Sequence, residues 1–366
     1  MNHGWEIRPL QDICNKASSN LMQKNIDSEN GKYPVFGASG IAGYIDYYVQ
    51  AKDYIGIIKD GSGVGRVSVY PKESSLLGTL QYIIPNENMD LRYVAYALKS
   101  MNLAKYVSGA AIPHIYFRDY GEEKIAVPSI KTQSKVADEL DKLNELIEIK
   151  RNQIKDLDAL AQSLFYETFG EPIENPKGWK LSTIGDVASV QTGATPSRDI
   201  EEYFNGDIPW VKTTEVQNCD IFETDEHISP DALNNSNCKL FPINTIIVAM
   251  YGQGKTRGQI ARLRIEACTN QACAAILPCS EIHPLFLYAF LRSSYEALRD
   301  IAVGCNQKNL NLSLVKNYTI FLPPLALQEQ FAARIEAIEE QKKRVEASIA
   351  DLETLLASRM DYWFND

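Results

Sequence analysis

The sequence repeats itself at long range, and this duplication limits the possible architectures more than any other feature does. Gly4-Trp5-Glu6-Ile7 recurs as Gly178-Trp179-Lys180-Leu181, and residues 93–100 resemble residues 286–293. Four further residues, Gly109, Ile125, Pro128 and Gln133, are matched 195 positions later by Gly304, Ile320, Pro323 and Gln328. A constant offset over four positions predicts one structural unit present twice, whose ends are retained and whose middle differs.

Each copy ends in a stretch whose apolar residues step by four and by three, the a/d pattern of a coiled coil. The predicted seam comprises Val136, Leu140, Leu143, Ile147, Ile154, Leu157 and Leu164 in the first stretch, and Phe331, Ile335, Ile338, Val345, Ile349, Leu352 and Leu356 in the second. A single helix of this kind would expose its seam. We therefore expect the two helices to pair antiparallel, or each to pair with another protein. Lys150 and Lys342 near the seam centres either fix the register or extend to its edge.

The predicted fold class is α+β, with four segments in chain order and a pseudo-twofold internal repeat. Residues 1–132 and 171–325 form two mixed α/β globular domains, separated by coiled-coil helices over 133–170 and 326–366. In each globular half a buried strand, at residues 54–58 and 245–249, leads into a glycine-containing loop.

The charge distribution restricts the kind of surface that could bind an acidic partner. The net charge is −10, with −3 over residues 133–170 and −4 over 326–366, whereas residues 1–132 carry +1 and residues 171–325 carry −4. Any basic surface must therefore be local.

The chain shows no long apolar run and no apolar leader at its start, and its seven cysteines form no C-x-x-C pair. These features predict a cytoplasmic protein with reduced thiols and no zinc site.

The motifs in the sequence favour a protein that binds over one that catalyses. Residues 249–256 resemble a degenerate P-loop, but the residues after Thr256 alternate like a strand, whereas a phosphate-binding loop needs a helix there. The four histidines are far apart, and no nucleophile elbow, metal signature or paired-carboxylate pattern is present. A nucleotide site is thus a minor alternative, and we predict no catalytic residues, no bound metal and no cofactor in this chain.

Polar loops at matching positions of the two halves supply the candidate binding residues. Basic side chains can contact an anionic surface, and Asn and Gln can read adenine edges. The alternative interpretation is that these are ordinary polar turns that serve solubility or cap backbone groups. The candidates are Lys59, Ser62, Arg66, His114, Tyr116 and Arg118 in the first half, and Lys212, Thr213, Thr214, Gln253, Lys255, Thr256, Arg257, Asn306, Gln307, Lys308 and Asn309 in the second.

The order and duplication of these motifs resemble the specificity subunit of type I restriction–modification enzymes. The resemblance covers almost the whole chain. It includes the two Gly-Trp motifs, residues 33–40 in the first half, residues 192–197, 208–211 and 252–258 in the second, and the Pro and Gln residues at the entry to each long helix.

This resemblance implies a non-catalytic subunit that recognises double-stranded DNA. Each globular half would be a target recognition domain for one part of a split target. The coiled coil would set the spacing between the two domains and would dock modification subunits, of which we expect two. S-adenosylmethionine, ATP and Mg²⁺ would then be held by partner subunits, with restriction subunits joining through the complex. Because the halves match only at their ends, we expect an asymmetric target. A coiled-coil scaffold with two protein-binding heads is the competing hypothesis.

Overall fold

The computed structural model describes residues 4–26, 31–109, 112–252, 254–304 and 308–365. The chain divides into two compact units. The first unit comprises Met1–Asn152 together with Glu346–Asp366, and the second comprises Gln153–Val345. Each unit therefore contains one globular half and a segment of each long helix. These segments are residues 130–152 and 346–364 in the first unit, and residues 153–169 and 325–345 in the second.

The first globular half is a mixed α/β domain. Its elements are β1 (Glu6–Pro9), α1 (Leu10–Ile13), β2 (Cys14–Ser18), β3 (Tyr33–Gly37), β4 (Gly40–Ile45), β5 (Tyr54–Ile58), β6 (Val67–Tyr70), β7 (Ser75–Leu76), β8 (Leu80–Pro85), α2 (Leu91–Ser100), α3 (Phe117–Tyr120) and β9 (Lys124–Val127). An antiparallel sheet has the order β2-β8-β5-β6, and a smaller sheet has the order β4-β3-β7 with β3 and β7 parallel. Strands β1 and β9 pair where the domain meets its long helix.

The long helix α4 (Ile130–Phe169) then leads into the second globular half. That half contains β10 (Lys180–Thr183), α5 (Ile184–Val187), β11 (Val190–Thr192), β12 (Ile208–Val211), β13 (Cys219–Ile221), β14 (His227–Ile228), α6 (Pro230–Asn235), β15 (Ile246–Ala249), β16 (Ile260–Leu263), β17 (Cys268–Thr269), β18 (Cys273–Ile276), α7 (Pro284–Ser293), α8 (Tyr295–Asp300), α9 (Leu312–Lys316) and β19 (Thr319–Leu322). The second long helix, α10 (Leu325–Phe364), follows it.

The two halves share one topology. The sheet β11-β18-β15-β16 repeats β2-β8-β5-β6, the sheet β14-β12-β17 repeats β4-β3-β7, and β10 pairs with β19 as β1 pairs with β9. The second half adds β13, which pairs parallel to β16 at the edge of the larger sheet. This strand lies in the region where the second copy is longer. The predicted duplication and α+β class are confirmed.

The helix pairing is antiparallel within each unit. In the first unit, Arg151 pairs with Glu353 and Glu139 pairs with Arg359. In the second unit, Lys342 pairs with Asp158 at 2.6 Å. All fourteen predicted seam residues are buried or half-buried. Lys342 is half-buried in its ion pair, which agrees with a seam lysine that reaches the edge.

The helices begin slightly earlier than the predicted boundaries of 133 and 326. Helix α4 begins at Ile130 because Ser129 follows Pro128 and accepts hydrogen bonds from the backbone of Thr132 and Gln133. Helix α10 begins at Leu325 because Pro323-Pro324 place an accepting carbonyl directly before it. The predicted strand at 245–249 loses Thr245, whose backbone N–H bonds to Pro242.

The ends of the long helices complete the cores of the units. In the second unit, Phe169 at the end of α4 is fully buried against Phe286 and Phe331. In the first unit, Phe364 at the end of α10 packs on Tyr93, and Trp363 stacks on Trp5 at 5.8 Å between ring centroids. Each retained tryptophan motif therefore anchors a helix end: Trp179 likewise donates from its indole N–H to the Phe169 carbonyl at 2.8 Å.

Candidate nucleic-acid interface

In the first unit, two loops that are distant in sequence meet beyond the ends of β5 and β6. We call this the first loop cluster; it comprises residues 59–66, 108–109 and 112–118. The Ile115 N–H donates to the Lys59 carbonyl at 2.9 Å, and the Gly61 N–H donates to the Pro113 carbonyl at 2.8 Å. Isolated β-bridges join His114 to Asp60 and to Ser108. The backbone thus holds the two predicted loops as one surface.

The first loop cluster presents an exposed aromatic and cationic stack. Tyr116 is 46% exposed and meets the His114 ring edge-on at 4.8 Å between centroids. The Arg118 guanidinium lies 4.7 Å above the Tyr116 ring, and its side chain is 76% exposed. Ser62 is also exposed, whereas Lys59 is half-buried and pairs with Asp60 at 3.5 Å.

Arg66 is turned back onto the protein. Its guanidinium donates to the carbonyl of Ala38 in the turn between β3 and β4. The residue is still exposed at the surface. Its contact links the turn to the first loop cluster, so its role includes holding the surface together.

The second unit repeats this arrangement at equivalent positions. We call residues 250–252, 254–259, 303–304 and 308–311 the second loop cluster. The Leu310 N–H donates to the Met250 carbonyl at 2.9 Å, which is the counterpart of the bond between Ile115 and Lys59. Val303 and Asn309 form an isolated β-bridge. Lys255 and Lys308 are exposed, and Thr256 and Asn309 are half-buried.

Arg257 departs from the role of a free surface cation. Its guanidinium donates to the Lys308 carbonyl, and its Nε is buried without a hydrogen-bond partner. Arg257 therefore ties the glycine loop to the other loop of the cluster, at Lys308, as Arg66 ties its loop to a turn in the first unit.

The predicted group at residues 212–214 does not act as one exposed patch. Thr213 is only 8% exposed and donates to the Asn270 side chain at 2.9 Å, so its burial argues against direct contact with a partner. Lys212 pairs with Glu226 at 3.2 Å, and this hydrogen bond raises the pKa of the lysine. Thr214 alone is exposed. Gln253, Asn306 and Gln307 lie outside the described residues.

Two residues that sequence reasoning missed lie against the second loop cluster. Tyr295 and Arg299 of α8 donate to backbone carbonyls of the glycine loop. Helix α8 is separate from α7, and the two helices meet at Ser294. The retained residues of the repeat stop at Ser293 and resume at Gly304, so the duplication gave no signal for this helix.

The described parts of the chain carry neither the helix of a phosphate-binding loop nor a cluster of metal ligands. The loop after β15 leads into strand β16, so the helix that a phosphate-binding loop requires does not follow it. Across residues 4–365, apart from the four gaps, no group of three or more His, Cys, Asp or Glu could hold a metal ion. The six cysteines within those ranges are free thiols. None of the described helices is long and apolar enough to cross a membrane.

The duplicated sequence matches a known family in both of its halves. Residues 2–159 and 176–353 both match the type I restriction modification DNA specificity domain. The two matches cover most of the chain, which therefore belongs to this family. Its class is that of a non-catalytic DNA-recognition subunit, and the nucleotide-binding alternative is not supported.

Individual relatives agree with this assignment over most of their length. The type I restriction enzyme MjaIX specificity subunit of Methanocaldococcus jannaschii is 24% identical over 380 residues, which cover 92% of this chain and 87% of the relative. The EcoR124I/EcoR124II specificity subunit of Escherichia coli is 24% identical over 249 residues, covering 66% and 60%. The crystal structure of a type I S subunit from M. genitalium superposes with a TM-score of 0.64 at 18% identity, covering 100% of this chain and 97% of that one.

Proposed function

We propose that the chain reads a split, asymmetric DNA target, with the first loop cluster contacting one part and the second loop cluster contacting the other. The observation that carries this proposal is the equivalence of the clusters. Each cluster is built from two loops at equivalent positions of the repeat. One backbone hydrogen bond joins the loops in each unit, from Ile115 to Lys59 in the first and from Leu310 to Met250 in the second. Their side chains nevertheless differ, as two readers of different base sequences must.

The exposed groups of each cluster suit a different mode of contact. In the first, the Tyr116–Arg118 stack offers a planar cation, the geometry that recognises guanine or phosphate. In the second, the exposed ammonium groups of Lys255 and Lys308 supply two point charges, while Asn309 is half-buried and its Oδ1 is buried. We expect phosphate contacts to fix the position of each cluster and base contacts to select its sequence.

The long helices would dock two modification subunits, and restriction subunits would join through the resulting complex. The helical segments are acidic, which suits contact with protein rather than DNA. Each unit also exposes a leucine at an equivalent helix position: Leu355 in the first unit is 46% exposed and Leu160 in the second is 52% exposed. S-adenosylmethionine, ATP and Mg²⁺ would be bound by those partners, and the complex would act in the cytoplasm.

The proposal is tested by the salt dependence of DNA binding, measured on the chain assembled with its modification subunits. Lys255→Ala should weaken binding to all duplexes and reduce the slope of log K against log salt by about 1, since a phosphate contact releases about one counterion.

Lys239→Ala is the matched control, because Lys239 is an exposed lysine of the second unit outside the second loop cluster. It should leave both the affinity and the slope unchanged. Binding that is insensitive to salt, or equal losses in the two variants, would instead favour a scaffold with protein-binding heads.

A further inference from the structure

The second loop cluster is held by side chains that belong to neither of its loops. Arg299 donates from Nη1 to the Arg257 carbonyl and from Nη2 to the Gly254 carbonyl, each at 2.9 Å. The Tyr295 hydroxyl donates to the Lys255 carbonyl at 2.6 Å. Three carbonyls within four consecutive loop residues thus accept hydrogen bonds from side chains of helix α8.

The two α8 side chains also hold each other. Arg299 Nη1 donates to the Tyr295 hydroxyl at 2.8 Å, and the guanidinium lies 5.1 Å from the centre of the tyrosine ring. The Arg299 side chain is only 21% exposed. A planar guanidinium with several fixed donors can bind two carbonyls at once, whereas a lysine cannot do so with the same geometry.

We call the three hydrogen bonds from Arg299 and Tyr295 to the loop carbonyls the α8 clamp. The loop backbone comes close to α8 where these bonds form. Gly258 has a positive φ of +84°, and a Cβ at this position would lie 2.9 Å from the Arg299 Cγ. The close approach of the loop backbone to α8 therefore requires glycine here. With the three carbonyls turned towards α8, the Lys255 side chain is left exposed.

The turn itself closes in the same way in both units: the Gly65 N–H donates to the Ile58 carbonyl in the first, and the Gly258 N–H donates to the Ala249 carbonyl in the second. Among the described residues, however, no side chain of the segment 91–106 donates to a carbonyl of the 59–66 loop, whereas Arg299 and Tyr295 donate to the loop of the second unit. The α8 clamp is therefore a property of the second unit and not a general requirement of the shared topology.

We infer that Arg299, supported by Tyr295, is a positioning residue that sets the specificity of the second loop cluster without itself contacting DNA. This inference rests on the proposed function. A loop fixed at three carbonyls holds the Lys255 phosphate contact in one place and so fixes the position from which the other side chains of the cluster reach base edges. Loss of that geometry lowers discrimination between bases more than it lowers attraction to phosphate.

The test measures competition binding by the assembled complex, with duplexes that carry single-base changes in either part of the target. Arg299→Ala should reduce discrimination in the part read by the second unit by roughly five-fold or more, which is the size of one lost base preference. Discrimination in the other part and the salt slope should stay at wild-type values. Arg299→Lys should restore only part of the loss, and Tyr295→Phe should give an intermediate loss.

Arg292→Ala is the control, because it removes the same charge from an exposed position at the end of α7. Equal discrimination by Arg299→Ala and wild-type complexes would overturn the inference. So would a salt slope lowered by about 1 with full rescue by Arg299→Lys, since that pattern marks a direct phosphate contact. If Lys255→Ala and Thr256→Val also leave DNA binding unchanged, it is the proposed function of the cluster that fails.

Discussion

At the scale of single residues, the clearest result is the role of the glutamine in the first turn of each long helix. Gln133 accepts from the Asp90 N–H at 2.9 Å and donates to the Pro128 carbonyl at 2.8 Å. Gln328 repeats both bonds, with the His283 N–H and the Pro323 carbonyl, at 2.9 Å each. Both side chains are 1% exposed. These residues are retained in the repeat because each satisfies two backbone groups where a helix leaves its domain.

Replacing this amide should be costly. Gln328→Leu keeps the side-chain volume but leaves the His283 N–H and the Pro323 carbonyl without their partners, so we expect the free energy of unfolding of the second unit to fall by about 2–4 kcal/mol. Chemical denaturation followed by hydrogen exchange would measure this loss. Gln330→Leu, at an exposed position of the same helix, should change stability little, and an equal effect of both substitutions would refute the explanation.

His283 should make the stability of the second unit depend on pH. Burial lowers the pKa of this imidazole, and its Nδ1 accepts from the Leu285 N–H at the start of α7, which requires the neutral ring. Because the folded-state pKa is depressed, the unfolded chain binds the proton first, and stability is lost as the pH falls below about 6.5.

The measurement is the melting temperature of the second unit between about pH 7.5 and pH 5.5. His283→Asn keeps a residue that can cap α7 but removes the titrating group. Its melting temperature should therefore decline less steeply than that of the wild-type chain. Parallel declines in the two proteins would assign the pH dependence to other groups.

At the scale of elements, the end of α4 belongs to the core of the second unit. Phe169 is fully buried and contacts Phe165, Phe286 and Phe331. Its counterpart 195 residues later, Phe364 at the end of α10, is only half-buried and packs on Tyr93 in the first unit. The same position in the repeat thus carries different packing in the two units.

Truncation of these two residues should reveal that difference. Phe169→Ala is expected to destabilise the second unit by about 3–5 kcal/mol, because it removes a buried ring from an aromatic cluster. Phe364→Ala should cost the first unit less, since the ring is partly exposed. Hydrogen exchange resolved by unit would measure both losses. A larger loss for Phe364→Ala, or a Phe169→Ala effect confined to the first unit, would contradict the packing described.

The elements also show what the sequence could and could not predict. Heptad spacing identified both long helices and their seam, because a coiled-coil seam is a local pattern of apolar residues. The matched offset identified the duplication. Strand β13 and the division between α7 and α8 were missed, since both lie in the stretches that the two copies do not share. Glycine content indicated the loops, but not which residues hold them.

For the candidate site, the sequence indicated which loops to consider but not which of their side chains face outward. In each unit the structure brings the two candidate loops together. Thr213, Arg66 and Arg257 were candidates because they are polar and lie in loops. In the structure Thr213 is buried, and Arg66 and Arg257 each donate to a backbone carbonyl of the protein itself. Composition cannot distinguish a side chain that faces a partner from one that supports its own loop, because that distinction depends on contacts distant in sequence.

At the scale of the whole molecule, duplication and divergence have separate consequences. The shared topology places an equivalent loop cluster in each unit and ends each copy with a helix of the same length, Ile130–Phe169 and Leu325–Phe364. The divergent loops give the clusters different chemistry. A chain of this kind, in a family of DNA specificity domains, is suited to reading two different sequences.

The most direct test of this account is single-molecule sequencing of DNA methylation in the host, with and without the gene for this chain. We predict that one methylated motif disappears on deletion and that it consists of two specific parts of different sequence, separated by unspecified bases. Complementation with the wild-type gene should restore it. A palindromic motif would contradict the asymmetric reading by the two clusters, and a methylome unchanged by deletion in a host that expresses the modification subunits would contradict the proposed role itself.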